Sequence, residues 1–374
     1  MKLECSRDKL KQAVTTLERL TGKNLSLPIL ARLFFRAKGH NLIVRATNLD
    51  LGAEWRLPAK VIESGEITVS GAVLANLLSN LSNVDKITLE VINGNLTVAV
   101  ANSSTLVKVY PAEDFPTLPE IDQTEEFSLD SQDFIQGVKA VAYAAALNDI
   151  KPEIASVFIF NDSGSGELYF VATDSFRLAE KKIVLNNSSN LKKLKADLKL
   201  IIPIRNIGEI ARLLENVSGQ VTWQYNRNQL NIFNDQLTVT SRLIDGIFPD
   251  YRQIIPTKSQ SQVSLEKTEL LNALKLNQIF TDRLNHITLK LRPGEKALEL
   301  TSQNGEVGEN TSLLPADPSG EELAINFNLR YLLDGLQAIG DEKISLQFNG
   351  RNKPIMLSGI NDASFRYLIM PLNR

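Results

Sequence analysis

Two histidines, His40 and His286, and one cysteine, Cys5, are the only side chains in the 374 residues that could do imidazole or thiol chemistry. A thiolate or hydroxyl nucleophile needs a base beside it, and that base an orienting partner. One Cys and two distant His give no Cys–His pair, and nothing in the sequence places either His in a cleft with a Ser and an Asp. A single Cys also excludes an internal disulfide and a Cys-rich zinc site, so Cys5 reads as a small buried residue of an opening strand. The chain has no G-x-x-x-x-G-K and no G-x-G-x-x-G phosphate loop. Ser163-Gly164-Ser165-Gly166 reads as a flexible turn. Asn48, Asp50, Asp174 and Ser302 sit at expected strand ends, where small polar residues form turns. No acid recurs there in all three places, which argues against a metal site. Catalytic residues, metal ligands and cofactors are therefore not expected. A hydrolase built on a carboxylate pair stays open, because spatial pairing is invisible in sequence.

The elements that would position any site repeat three times. Amphipathic helices are expected from Ser6 to about Leu20 (stripe Leu10, Val14, Leu17), from Asp130 (Phe134, Val138, Val141) and after Ser264 (Leu270, Leu274, Ile279), each with a polar N-cap. Paired extended runs follow from Leu33, Val157 and Ile287, ending near Thr47, Thr173 and Thr301. Second helices begin near Val73, Asn206 and Asn328. A second hairpin follows each, the first turning at Asn93-Gly94, a strong hairpin signal. Closing strands start near Val107, Val239 and Phe365. Linkers are expected near 117–127 and 255–263, giving domains 1–120, 127–255 and 262–374. Period-two runs between helical stripes imply an α+β fold, with helices covering one face of each sheet.

Hydrophobic residues make up 43%, enough for real cores, and Lys plus Arg (41) nearly balances Asp plus Glu (43). That balance excludes a uniformly basic nucleic-acid coat, so a DNA partner would have to be met by a local patch or by geometry. The N-terminus has no apolar signal core and no apolar run reaches 18 residues; a cytoplasmic protein with no membrane partner is expected.

ATDSFRLA (172–179), SRLIDGIFPDYRQIIP (241–256) and YLIMPLNR (367–374), with LPIL from Leu27, TNLDLG from Thr47 and YPAEDFP from Tyr110, resemble the bacterial DNA polymerase III β subunit, the replicative sliding clamp. The resemblance runs the length of the chain in order. It implies three tandem copies of a two-helix, two-sheet clamp domain forming a half-ring. Two such chains would close head-to-tail around double-stranded DNA, with helices lining the hole. The implied function is non-catalytic: tethering the polymerase for processivity. The implied partners are the DNA polymerase III alpha subunit, the clamp loader and other proteins with a short motif of Gln and apolar or aromatic anchors. A β-rich scaffold that binds peptides without encircling DNA is the alternative.

Carried over residue by residue, the family's peptide pocket falls on Ile154, Thr173, Ser175, Phe176, Arg177, Leu178, Pro249, Ile254, Leu368, Met370, Pro371 and Leu372, with Tyr331 and Pro354 alongside. Ser175 and Phe176 stand where the familiar form ATDGHRLA has Gly and His, and Gln253 replaces a usual Arg. A DNA-facing lining would draw on helix cations: Arg7, Lys11, Arg19, Lys139, Arg205, Arg212, Lys267, Lys275 and Arg330. Lys23 and Asn24 fall where the family often has a basic DNA contact. Ring closure would pair an edge near Thr105 and Val107 with a third-domain edge, supported by Ile279 and Phe280.

Overall fold

A computed structural model describes residues 1–22, 27–82, 84–119, 121, 125–162, 166–185, 198–256 and 258–372. One order of elements occurs three times: strand, helix, four strands, helix, three strands. In the first repeat these are Lys2–Ser6, helix Arg7–Glu18, strands Arg32–Lys38, Asn41–Thr47, Leu51–Glu63 and Gly65–Ser70, helix Gly71–Asn80, and strands Lys86–Ile92, Asn95–Val100 and Ser103–Tyr110. The second has Glu125–Asp130, helix Ser131–Val141, strands Ser156–Asn161, Glu167–Thr173, Arg177–Val184 and Lys199–Pro203, helix Ile204–Leu214, and strands Gln220–Tyr225, Gln229–Phe233 and Leu237–Arg242. The third has Ser261–Glu266, helix Lys267–Asn277, strands His286–Arg292, Ala297–Asn304, Gly308–Pro315 and Leu323–Asn328, helix Leu329–Ala338, and strands Lys343–Phe348, Ile355–Gly359 and Phe365–Ile369. It adds a three-residue strand, Asp317–Ser319. The fold is α+β, as the alternating periodicities require.

The helices form where capping and stripe agree. Ser6 accepts from the Lys9 amide at 3.5 Å and Asn328 from the Arg330 amide at 3.0 Å. Leu10, Val14 and Leu17 are buried on the first helix, and Phe134, Val138 and Val141 on the third. The Asn93-Gly94 turn has positive φ at both residues, 46° and 72°, as a tight hairpin requires.

Four expectations need correction. Both linkers end in strands: Glu125–Asp130 and Ser261–Glu266 overlap them, and each buries alternate residues, Phe127 and Leu129, then Val263 and Leu265. Ser264 therefore lies inside a strand. Its helix starts three residues later at Lys267, with Glu266 at the cap position and no side-chain cap bond. The helix stops at Asn277, so Ile279 leaves the buried stripe and is 61% exposed. Thr301 does not end its strand, which runs on to Asn304.

The described residues fall into two compact units, Met1–Phe134 with Gly208–Leu243, and Ile135–Ile207 with Ile244–Arg374. In the first unit, the eight strands of the first repeat form a closed circuit, because Lys2–Ser6 pairs with both Lys86–Ile92 and Leu51–Glu63. The 13-residue strand Leu51–Glu63 also takes on Leu237–Arg242, in the register Leu51↔Ser241 to Trp55↔Leu237. In the second unit, Arg177–Lys181 pairs the same way with Phe365–Ile369, in the register Arg177↔Ile369 to Lys181↔Phe365. In both places the strand after a repeat's central turn receives the closing strand of the next repeat.

Helix Leu329–Ala338 approaches Tyr367 at Gly335, where an added Cβ would lie 2.2 Å from the ring of that fully buried tyrosine. Gly208 is also helical but faces open space. Gly335→Ala should cost about 1–3 kcal/mol by overpacking, and Gly208→Ala should gain up to ~1 kcal/mol from helix propensity. Urea unfolding of the two variants checks the contrast; equal midpoints would refute it.

Candidate functional site

The turn between Thr173 and Arg177 builds one wall of the site. The Thr173 hydroxyl donates to the Arg177 carbonyl at 2.6 Å and accepts from the Ser175 amide at 3.2 Å, while Asp174 Oδ1 accepts from the Phe176 and Arg177 amides at 2.9 Å. This bond set drives Ser175 to φ 77°, the left-handed region, and turns Phe176 outward at 59% exposure. The sequence reading of Asp174 as a turn-former holds. Arg177 is fixed from behind: Nε donates to Asp174 at 2.9 Å, Nη1 to Asp334 at 2.6 Å, and its guanidinium lies 4.3 Å from the centre of the Tyr331 ring. Burial works to lower the Arg177 pKa, but Tyr367, Asp334 and Asp174 outweigh it and raise the pKa.

The opposite wall is the closing strand. Leu368 pairs with Leu178, and the Met370 amide donates to the Phe176 carbonyl at 2.8 Å. The third side is the loop Phe248–Ile254. Phe248 stacks on Phe158 at 4.9 Å, and Tyr251 joins Phe160, Val171, Leu178, Ile201 and Leu368 in one buried cluster. The Tyr251 hydroxyl donates to Glu180 Oε2 at 2.6 Å. Burial, with the Glu180 charge and hydrogen bond behind it, pushes the Tyr251 pKa well up.

These walls enclose a cleft of about 180 Å³ lined by Ile154, Thr173, Ser175, Phe176, Arg177, Leu178, Pro249, Asp250, Tyr251, Ile254, Pro354, Leu368 and Met370. Leu178, Leu368 and Tyr251 form a buried floor, while Phe176 and Ile254 stand exposed at the rim. Of the residues expected for a peptide pocket, Tyr331, Pro371 and Leu372 lie outside the lining. Tyr331 backs Arg177, and the Leu372 amide bonds to the Asn326 carbonyl at 2.8 Å. The sequence reading missed Asp250 and Tyr251, although both stand in its quoted IFPDY motif. Burying an aliphatic or aromatic side chain in such a cleft is worth about 1.5–3 kcal/mol, enough for a few anchors to hold a short peptide.

The first unit makes the same junction with other side chains. Thr47 donates to the Leu51 carbonyl at 3.1 Å, Asn48 Oδ1 accepts from the Asp50 and Leu51 amides, and Leu49 takes φ 79°. The groove beside it, about 380 Å³, is lined by Asp50, Gly52, Thr240 and Arg242 where the second unit has Phe176, Leu178, Leu368 and Met370. Asp50 and Arg242 approach to 3.7 Å. One backbone plan thus carries a mixed groove once, where Leu49, Pro116 and Leu118 stand beside the polar residues, and a largely apolar cleft once. In the third repeat the position expected for this turn is not one: Ser302 is buried and donates to the Asn277 carbonyl at 2.9 Å.

The expected DNA-facing cations divide in two. Arg19, Lys139, Arg205, Lys275 and Arg330 are exposed, Arg205 beside Asp149 at 3.0 Å. Arg7, Lys11, Arg212 and Lys267 are half-buried. Three of those are committed to main-chain carbonyls: Arg7 to Leu81, Arg212 to Thr16 at 3.2 Å and Lys267 to Ile339 at 2.7 Å. Lys23 and Asn24 lie outside the described residues. At the expected edges, Thr105 is half-buried and Val107 is buried at 6%, while the neighbouring Leu106 is 68% exposed. Ile279 is exposed and Phe280 half-buried.

Three copies of one strand–helix order, joined by strand pairing between successive copies and carrying an apolar cleft at one junction, define a tandem-repeat protein of the DNA-clamp class. The models for the N-terminal, central and C-terminal domains of the DNA polymerase III beta subunit match residues 1–119, 128–250 and 252–373. The chain belongs to the DNA polymerase III beta subunit family, and its function is that of a beta sliding clamp. It is 29% identical to the beta sliding clamp of Synechococcus elongatus, covering 100% of this chain and 99% of that protein, and 26% identical to that of Pseudomonas aeruginosa, covering all of both. Among solved structures, the Pseudomonas aeruginosa sliding clamp bound to griselimycin superposes with a TM-score of 0.92 at 26% identity over all of both chains. The Thermotoga maritima beta subunit shares the fold at a TM-score of 0.92 and 22% identity, covering 100% of this chain and 99% of that one.

Because the Tyr251 phenol has a folded pKa above its ordinary value of 10.0, the stability it confers is complete below pH 10 and is lost as pH rises above that. Stability measured by denaturant should fall above pH 10. Tyr251→Phe should be less stable at pH 7 and show a shallower alkaline fall; an unchanged slope would refute the assignment.

Proposed function

We propose that two copies of this chain join head-to-tail into a closed ring that encloses duplex DNA, and that the ring holds replication proteins by short segments bound in the apolar cleft. The observation that carries the ring is the repeated junction. Twice within the chain, the strand after the central turn receives the closing strand of the next repeat. Two of the edges left over among the described residues suit each other. Ser103–Lys108 pairs with Asn95–Val100 on one side only, and Gly308–Pro315 is the end strand of its sheet. Unpaired edges are sticky, and each is the kind the other would complete. Exposed apolar residues accompany both: Leu106 on one, Val307, Leu313 and Ile279 near the other. Two copies satisfy both pairs of these edges, as closed two-fold symmetry allows.

Enclosure explains the composition. A nearly neutral chain binds DNA weakly at its surface, but a ring retains it by topology and slides best on shallow electrostatics. Arg19, Lys139, Arg205, Lys275 and Arg330 supply the exposed positive charge for such a lining. Arg7, Arg212 and Lys267 act mainly as struts within the chain. The cleft binds rather than reacts, since its Thr173 hydroxyl is spent on the turn. Its partners are the DNA polymerase III alpha subunit, the clamp loader and other proteins bearing a motif of Gln and apolar or aromatic anchors. The compartment is the cytoplasm; among the described residues no helix is long and apolar enough to cross a membrane.

Retention on nicked circular DNA after loading should greatly exceed equilibrium binding to a short linear duplex. Leu106→Asp should shift the dimer to monomer in sedimentation at micromolar concentration and abolish that retention. Comparable binding to circle and short duplex, or a wild-type monomer throughout, would refute the ring. In the cleft, Met370→Ala should weaken binding of a motif peptide by about tenfold, from the lost burial of one side chain, without changing the sedimentation of the dimer. Unchanged affinity by calorimetry would reject the cleft as the docking site.

A further inference from the structure

The apolar cleft continues past its rim. Ile254, Pro354 and Met370 also line a wider trough of about 630 Å³. The trough's charged lining is Arg252, Lys258 and Lys353, with no carboxylate among the lining residues. Arg252 is held in place: Nη2 donates to both oxygens of Asp162, at 2.7 and 2.8 Å, and the guanidinium lies 5.1 Å from the centre of the Phe160 ring. Lys258 and Lys353 are exposed. On the cleft side, Asp250 accepts from Gln253 at 2.6 Å. Asn349 and Asn352 add amide donors, and the buried Asn349 Nδ2 has no hydrogen-bond partner. An apolar slot thus opens into a basic trough, and a chain leaving the slot on that side meets donors and positive charge.

We propose that the segments docked in the cleft extend into this trough and carry acidic side chains next to their apolar anchors. The proposal rests on the reading of the cleft as a peptide site and adds the charge of the partner's flanks. Flank acids would add affinity and speed encounter, and both effects would fade with salt, as for other rim charges.

The test uses the full chain and three synthetic peptides in calorimetry. The first is Gln-Leu-Ala-Leu-Phe, the second carries two Asp at each end of it, and the third two Asn at each end. The Asp-flanked peptide should bind about five- to tenfold tighter than the Asn-flanked one at low salt, and the ratio should fall toward one at about 0.5 M salt. In the double variant Lys258→Glu with Lys353→Glu the ratio should drop to one or invert. Equal affinity of the Asp- and Asn-flanked peptides for the wild type would overturn the inference and leave the cleft reading intact. So would a preference that survives in the double variant, because the charge would then lie elsewhere. Failure of all three peptides to bind would overturn the cleft reading and this inference with it.

Discussion

A β-strand with one bare side is sticky, and this chain answers that at two places by lending a strand back to the preceding repeat. In the first two repeats the strand that follows the central turn is completed by the last strand of the following repeat, through main-chain hydrogen bonds that are indifferent to side-chain identity. The apolar cleft lies beside one such seam. The Thr173 turn brings Phe176 and Arg177 to one lip, the lent strand brings Leu368 and Met370 to the other, and the loop from Phe248 closes the third side. Without the seam there would be two half-walls and no cleft.

Because the seam is made by backbone, its side chains were free to diverge. Thr47 and Thr173 make the same bonds, and Leu49 and Ser175 share the same left-handed conformation. Around the first, Asp50, Thr240 and Arg242 make the groove mixed; around the second, Phe176, Leu368 and Met370 make it largely apolar. A peptide with aliphatic and aromatic anchors gains more by burying them at the second. Selectivity between two equivalent positions thus follows from a handful of substitutions on an unchanged scaffold.

Local physics was legible in the sequence. The helical stripes, the caps at Ser6 and Asn328 and the Asn93-Gly94 turn are set within a few residues of themselves. The opening strands at Glu125 and Ser261 were obscured because each follows polar, proline-bearing chain and pairs only with residues far along the sequence, such as Leu129 with Val221 and Val263 with Leu346. Strand phase decided another case: Val107 turns inward and Leu106 outward, one residue apart with opposite fates. The helix cations could be placed on helices, but not sorted. Whether Arg7 reaches solvent or the Leu81 carbonyl depends on where a second helix ends. Most of the cleft came from the resemblance of its motifs. Asp250 and Tyr251 sat inside one of them, yet their place in the lining follows from the loop packing that only the fold reveals.

The lent strands also mean that the chain is inherited in thirds but is not divisible in thirds. Its compact units cut across the central repeat, at Phe134/Ile135 and Ile207/Gly208, inside helices Ser131–Val141 and Ile204–Leu214. Residues 128–250 alone would carry two raw flanks, Leu237–Ser241 deprived of Leu51–Trp55 and Arg177–Lys181 deprived of Phe365–Ile369. Duplication could lengthen such a protein readily, whereas excising one copy would wound both neighbours, so the number of repeats, once reached, is defended by the very bonds that let it grow.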